Sequence, residues 1–531
     1  MPLGKPEQIF RRRTGAEVAG SMTGHVFSSE PELIQGGMGV GISSWQLARS
    51  VAEAGENIGR PVLGVVSGIG LATTMVVRLR NGDSSTRRAL EAFPVPEIAQ
   101  GIIERYWLNT NRSSLSRTPL KPEILVNGSD ERKAEFTRLL IAVNFAEVWL
   151  AKQGHSGPVG INYLEKVQLP RLPEIFGALL GGVDYVLMGA GIPNQVPGVL
   201  DGLADWKEVS YKIHVAGSEK YVLSFDPKAI IPQQYRMPLT RPKFLAIVSH
   251  HVLAQALALK ATGEVDGFVV EGPIAGGHNA PARGKEFSES GEPVYTERDK
   301  PDLAKIRGLG KPFWLAGGYA SPEKLREAKS MGAAGIQVGS AFALCDESRL
   351  RDDIKRELRR KSYSGVIEVM ANPVISPSGY PFQVVRLEGS LSDPEVYGAR
   401  KRKCRMGYLV EAYRTARGGI GFRCPAEPVK AYVKKGGDVD STQGRVCICT
   451  GLAAASADGQ LSEAASEPPI VTLGQDHSFI RSMLPSADGS YSSEDVIRSI
   501  LSIAPSGRSE GRATVSTAET GGRVPKSTTA E

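Results

Sequence analysis

Eight short apolar runs, separated by stretches of helical character, constrain this chain more than any other feature of it. They are Glu32–Gly36, Pro61–Val66, Pro158–Tyr163, Val183–Gly189, Lys243–Val248, Asp266–Gly272, Lys311–Gly318 and Ala334–Ala341. Each is rich in β-branched or aromatic residues and bounded by glycine, proline or charge, the pattern of a strand buried on both faces. Strands alternating with helices pair in parallel through right-handed crossovers. Eight such units predict a closed α/β barrel, a (β/α)8 TIM barrel, rather than an open sheet.

The intervening helices carry their own signals. Ser43–Gly55 has an apolar face and a serine to cap it, and Ser249–Gly263 ends at glycine. In Ser321–Ala333, Ser321 is placed to cap, and Pro322 suits the first helical position. The stretch from Ser67 to about Gly157 interrupts the alternation after the second strand and reads as a large helical insertion with a lid role. Val209–Phe225 reads as a hairpin about a Gly-Ser turn.

The domain reading is therefore a barrel over 1–360 with its insertion at about 67–157, then an accessory region over 361–503 packed on the barrel. A polar tail follows over 504–531, too poor in apolar residues to offset chain entropy and expected to be disordered.

Composition narrows the classes. A chain of 531 residues has enough apolar content for a large core. The N-terminus has arginines without an apolar stretch behind them, and no run is long enough to span a bilayer. The expectation is a cytoplasmic protein with no membrane contact. A net charge of +7 is small for this length, and basic groups such as Arg356–Lys361 and Arg400–Arg405 read as solvated helix faces or loop edges. No recognition motif accompanies them, so no nucleic-acid partner is expected. Five cysteines do not make a disulfide framework and suit a reducing compartment. Cys404, Cys424, Cys447 and Cys449 fall within fewer than fifty residues but match no common zinc or iron–sulfur spacing. They are candidates for a metal or redox site, set against half-buried structural thiols, and no metal is assigned.

In a barrel of this kind, functional groups belong at the C-terminal ends of the strands. His278, in EGPIAGGHNAPARGK, sits there: Gly276 and Gly277 let the backbone pass close to a ligand while the imidazole shares the same space. A side chain with an ordinary pKa of about 6.5 suits proton transfer or hydrogen bonding. His25, His155, His214, His250, His251 and His477 lack such surroundings. At the seventh and eighth strands, Gly317 and Gly318 precede a helix start, and Gly339 and Ser340 add amides and a hydroxyl. Exposed N–H groups of this sort favour a phosphate. Ile34–Ala48 places another glycine-rich turn after the first strand. It lacks a dinucleotide-binding context and reads as backbone lying against a flat ring, with Met38 as a polarizable contact.

IQGGMG, GINYL, VLMGAGIP, EGPIAGGH, LAGGYASPEKL and GIQVGSAF together resemble the nitronate monooxygenases, formerly called 2-nitropropane dioxygenases, a family of FMN-dependent TIM barrels. The resemblance spans about residues 31 to 360. It implies FMN held without a covalent bond, with its phosphate at Gly317, Gly318, Gly339 and Ser340. Met38, Gly39, Asn162, Gly276, Gly277 and Gln337 would lie along the rest of the cofactor, and His278 would be the catalytic histidine. The implied reaction is oxidation of alkyl nitronates by O2 to carbonyl compounds and nitrite, with His278 accepting a proton from neutral nitroalkanes. The residues flanking AGGH depart from the family's usual form: Pro273 and Ile274 precede it, and Asn279, Ala280 and Pro281 follow. Two alternatives stay open: an NAD(P)H-dependent FMN enoyl-thioester reductase served by a carrier protein, and a non-catalytic barrel binding a phosphorylated ligand.

Overall fold

The computed structural model describes residues 30–108, 120–217, 220–459 and 467–504. The N-terminal arginines and the tail read as disordered from Ala504 onward lie outside these residues, except Ala504 itself. The strands in chain order are β1 (Leu33–Gln35), β2 (Val62–Ser67), β3 (Val159–Leu164), β4 (Tyr185–Gly189), β5 (Val209–Ile213), β6 (Val215–Ala216), β7 (Tyr221–Phe225) and β8 (Lys243–Val248). They continue with β9 (Gly267–Glu271), β10 (Phe313–Ala316), β11 (Gly335–Val338), β12 (Val369–Asn372), β13 (Phe382–Val385), β14 (Glu411–Arg414) and β15 (Ile420–Arg423).

The eight expected runs close into one parallel barrel in the order β1-β11-β10-β9-β8-β4-β3-β2. Ile34, Leu63, Val65, Leu187, Leu245, Val269 and Trp314 form one packed cluster of buried barrel-strand side chains. The barrel is filled, and a ligand must therefore sit at its rim.

The helix Pro322–Ser330 forms as its sequence predicts, with Ser321 accepting from the Lys324 amide. The helix Trp45–Asn57 follows Ser44, whose hydroxyl makes no capping bond. The helix His251–Lys260 is capped by His250, whose Nδ1 accepts from the Val252 amide, and it stops at Ala261, short of the expected glycine.

The insertion folds as helices Leu71–Arg80, Ser84–Glu91, Pro96–Tyr106, Ile124–Asn127 and Asp130–Ala151. The last of these packs against the helix Arg171–Leu180, and Gly177 is what allows it: a Cβ there would sit 2.2 Å from the Ile141 carbonyl oxygen. The insertion thus thickens the outer helical layer. Apart from Ser67 and Ile69, its described residues do not reach the cavity at the rim, so the lid expected of it is found elsewhere.

That covering comes from the region after the barrel. The hairpin β5–β7 forms as expected, but β6 beside it joins β14 and β15 in a separate three-stranded sheet. The helix Ser493–Ile500 returns to pack on Trp45–Asn57. A buried ion network ties the layers: Arg78 bonds Glu147 at 2.6 Å and Asp458 at 2.9 Å, and Arg349 bonds Asp458 at 2.6 Å.

The basic groups meet expectation only in part: Arg356, Arg360, Lys401 and Lys403 are exposed, but Arg359, and Lys355 just ahead of its run, are not. Lys355 and Arg359 are buried, because Lys355 Nζ donates to the carbonyls of Asp346 and Ser348, and Arg359 donates to the Leu344 carbonyl and the Asp346 carboxylate. Arg400 is likewise inside, paired with Glu467. Among the described residues, no helix is long and apolar enough to cross a membrane.

Candidate active site at the barrel rim

A cavity of about 260 Å³ opens at the C-terminal ends of the strands. It gathers every residue proposed from sequence for catalysis or cofactor binding: His278 with Met38, Gly39, Asn162, Gly276, Gly277, Gly317, Gly318, Gln337, Gly339 and Ser340.

The first wall is the turn after β1. Ser43 pins it, its hydroxyl donating to the Gly36 carbonyl at 3.0 Å and accepting from the Met38 amide at 2.9 Å. Asn162, on β3, donates from Nδ2 to the Gly37 carbonyl at 3.0 Å, while its Oδ1 is buried without a partner among the described residues. Gln337, on β11, likewise leaves Oε1 unpaired and buried. Two orphan acceptors beside a glycine turn suit a polar planar ligand edge.

The second wall is the β9 loop. Gly277 has φ +88°, and a Cβ there would meet no atom within 4 Å; at Gly339 the nearest would be Met38 Sδ at 3.9 Å. Backbone held open in this way is a cradle, and these residues fit a bound FMN. The Gly277 amide itself is already used, donating to Thr472 Oγ1 at 2.7 Å. Ser340 Oγ accepts from the Gly474 amide at 2.8 Å, which leaves its own hydrogen for a ligand.

Sequence reading missed the opposite wall altogether. It is apolar, with Phe382, Met406, Leu409, Ile448, Leu452 and Phe479 contributed by the region after the barrel. Phe382 lies edge-on to the His278 ring at 4.8 Å, and the His278 Nε2 is 2.8 Å from Ser376 Oγ. Asp476 also enters, its carboxylate 3.5 Å from where a Gly318 Cβ would be. It places a negative charge beside the loop expected to take phosphate, with the Lys324 ammonium within its field.

Burial in this setting shifts the two titratable groups in opposite directions. The His278 ring is half-buried at the cavity wall; loss of hydration, then the Lys166 ammonium nearby, pushes it down to about 4. Glu271, at the C-terminal end of β9, is pushed up to about 8 by burial alone. No hydrogen bond or ion pair reaches its carboxyl among the described residues. Both groups are neutral at pH 7. An acid at a barrel strand's C-terminal end was the available signal for Glu271.

The late cysteines divide. Cys449 lines the cavity, Cys424 and Cys447 pack together with Ala426, and Cys404 is half-buried. Burial pushes Cys404 up to about 11 and raises Cys424 and Cys449 as well, which makes poor thiolate donors. Among the described residues, no group of three or more His, Cys, Asp or Glu side chains is arranged to hold a metal.

Residues 211–372 match the family model described as nitronate monooxygenase. Among curated proteins, a Mycobacterium tuberculosis enzyme named (3aS,4S,5R,7aS)-5-hydroxy-7a-methyl-1-oxo-octahydro-1H-indene-4-carboxyl-CoA dehydrogenase is 26% identical over 161 residues. That stretch is 30% of this chain and 41% of the relative's length. Similar solved structures include FabK from Thermotoga maritima, with TM-score 0.44 and 15% identity over 89% of this chain and 92% of that one. A nitroalkane oxidase from Streptomyces ansochromogenes gives TM-score 0.42 and 14% identity over 89% and 95%. The match over 211–372, from the hairpin through β8 to β11 and into β12, makes that part of this (β/α)8 chain similar to the nitronate monooxygenases, and the chain is an enzyme of the oxidoreductase class.

Proposed function

We propose that the chain is an FMN-dependent reductase of enoyl thioesters that carry an apolar acyl chain, with NAD(P)H as the reductant. The overall balance is enoyl thioester + NAD(P)H + H⁺ → acyl thioester + NAD(P)⁺. The observation that carries this reading is the apolar wall of Phe382, Met406, Leu409, Ile448 and Leu452 facing two neutral groups, His278 and Glu271.

A small nitronate has no use for so extended an apolar surface, whereas an acyl chain gains roughly 0.8 kcal/mol for each methylene buried. An imidazole held near 4 is also a weak base for taking a proton from a nitroalkane. It is well suited to donate a neutral hydrogen bond to a thioester carbonyl. Glu271, protonated below about pH 8, holds a proton at the same rim for delivery to the substrate's α-carbon. The curated relative, whose name places its substrate as a coenzyme A thioester, points the same way.

FMN, when bound, supplies the hydride relay. Asn162, Gln337, Gly276 and Gly277 would hold its ring side with Met38 and Gly39 against a face. Gly317, Gly318, Gly339 and Ser340 would hold its phosphate. A thioester substrate is presented on coenzyme A or on a carrier protein.

Nitronate oxidation is the competing reading, favoured by the family match alone. An anaerobic absorbance titration separates the two. The expected result is flavin bleaching by NADPH or NADH, reoxidation by 2-octenoyl thioester, and weaker reoxidation by the four-carbon crotonyl thioester. Bleaching by ethyl nitronate without pyridine nucleotide, with nitrite released on admission of O2, would overturn it.

A further inference from the structure

The region after the barrel does more than cover the cavity; it holds the histidine. We infer that Ser376 is a positioning residue whose hydroxyl donates to His278 Nε2 and so fixes the imidazole as its Nδ1–H tautomer, a hydrogen-bond donor toward the substrate. Only the identity of the acceptor, a thioester carbonyl, rests on the function proposed above.

Ser376 is fully buried, 98 positions along the chain from the histidine it meets. Its loop is tightly held. Asn372 Oδ1 accepts from the amides of Val374 and Ile375, each at 2.9 Å, and Arg445 donates to the carbonyls of Val374 and Ser376. Gln383 N donates to the Gly277 carbonyl at 2.8 Å, and Asn279 N to the Pro381 carbonyl at 2.9 Å, so the loop and the β9 turn are stitched on both sides of His278.

The polarity of the bond follows from the groups behind it. The Ser378 amide donates to Ser376 Oγ at 3.2 Å, and the Tyr380 amide donates to Ser378 Oγ at 3.4 Å. Amides only donate, so hydrogens are fed into this chain from its far end. The two hydroxyls lie 2.8 Å apart. If Ser378 donates to Ser376, both lone pairs of Ser376 are filled and its hydrogen passes to Nε2. The opposite polarity leaves the Ser378 hydroxyl hydrogen without a protein acceptor among the described residues. Nδ1 has no partner among them, and it is the ring nitrogen left for a ligand. The edge of Phe382 against the imidazole restricts the ring plane.

Fixing a tautomer by the bond on the second ring nitrogen is a general device of histidine sites. Here it turns His278 from a proton acceptor into a donor, the role a carbonyl oxygen gaining negative charge requires.

The test is long-range ¹H–¹⁵N correlation on protein carrying ¹⁵N-histidine, with the His278 signal assigned by its loss in His278→Gln. The expected result is a pyridine-type Nε2 and a pyrrole-type Nδ1, lost in Ser376→Ala and kept in Ser376→Thr. A pyrrole-type Nε2 in the unmodified protein, or a tautomer unchanged in Ser376→Ala, would overturn the inference. In turnover, Ser376→Ala should lower kcat about 10-fold with KM nearly unchanged, and Ser376→Thr should restore it. The expected tautomer in a protein that turns over no thioester would uphold this inference and sink the thioester reading instead.

Discussion

Replacing Glu271 by Gln keeps the shape of the side chain and removes its ability to ionise, which isolates the cost of placing a carboxylate at the rim. In the folded protein the carboxyl is held at about 8 against an ordinary value of 4.5. Each pH unit of that difference corresponds to about 1.4 kcal/mol, so the ionised side chain in the folded state is penalised by up to about 5 kcal/mol. Glu271 is partly accessible from the cavity, and screening by water there reduces the working figure to roughly 2–3 kcal/mol. Below pH 4.5 both folded and unfolded chains are protonated and no penalty exists. Between 4.5 and 8 the folded state binds more protons than the unfolded state, so stability falls as pH rises. Above about 8 the loss is complete and constant. The Gln variant escapes it. For domains of 150–250 residues, 1 kcal/mol shifts Tm by about 2–4 °C, and the shift is smaller in a longer chain. Thermal scans of both proteins from pH 5.5 to 9, at fixed FMN saturation, should therefore show midpoints that separate with rising pH. The Gln variant should end higher by roughly 2–6 °C. A constant offset across the range, or a variant that loses ground at high pH, would refute the claim that burial alone sets this carboxyl.

Two further substitutions test the cradle and the buried network. Gly277→Ala places a methyl group where no atom lies within 4 Å, at a φ of +88°; its folding cost should be about 1–2 kcal/mol, while FMN affinity falls at least about 10-fold in a flavin fluorescence titration. Unchanged affinity would remove Gly277 from the cofactor site. Arg78→Met strands the Glu147 carboxylate in the interior, while Asp458 keeps Arg349, and should cost about 3–5 kcal/mol by urea denaturation. Adding Glu147→Gln should recover part of that loss, and a double variant no better than the single one would assign the cost to packing.

Much of the barrel was legible because its strands are self-announcing. Phe268, Val269 and Val270 between glycines can only be buried extended chain, and the same logic located the other seven strands. The glycine turns that follow them were readable for the same reason, which is why the candidate residues at the strand ends meet in one cavity. The far wall was not readable. Ser376 meets His278 across 98 positions and Thr472 meets Gly277 across 195, with no periodic pattern to announce either contact. The charge runs misled in part, for a related physical reason: Arg356, Arg360, Lys401 and Lys403 are exposed as read, but their neighbours are not. Lys355 and Arg359 look like a solvated face, but their partners are mostly main-chain carbonyls, which leave no trace in composition. The helix Asp130–Ala151 has apolar residues around most of its circumference, which suits an element enclosed by neighbouring helices rather than a lid.

The apolar wall and the shifted groups are one physical fact seen twice. Removing water from a rim disfavours whichever form of a side chain is charged, so the same burial that pushes a carboxyl up pushes an imidazole down. A barrel open to solvent at this end would leave Glu271 ionised, and its histidine would titrate in the ordinary range. Residues after the barrel supply the covering surface: Phe382 against the imidazole, Met406 and Leu409 in the cavity wall, and Thr472 and Gly474 tying down the β9 and β11 loops. The result is a site at pH 7 that holds a protonated acid and a neutral hydrogen-bond donor against an apolar surface. Under the reductase reading proposed above, such a site is poorly equipped to deprotonate a substrate and well equipped to complete a hydride addition with a proton, a distinction made by the covering region on a rim the barrel already provides.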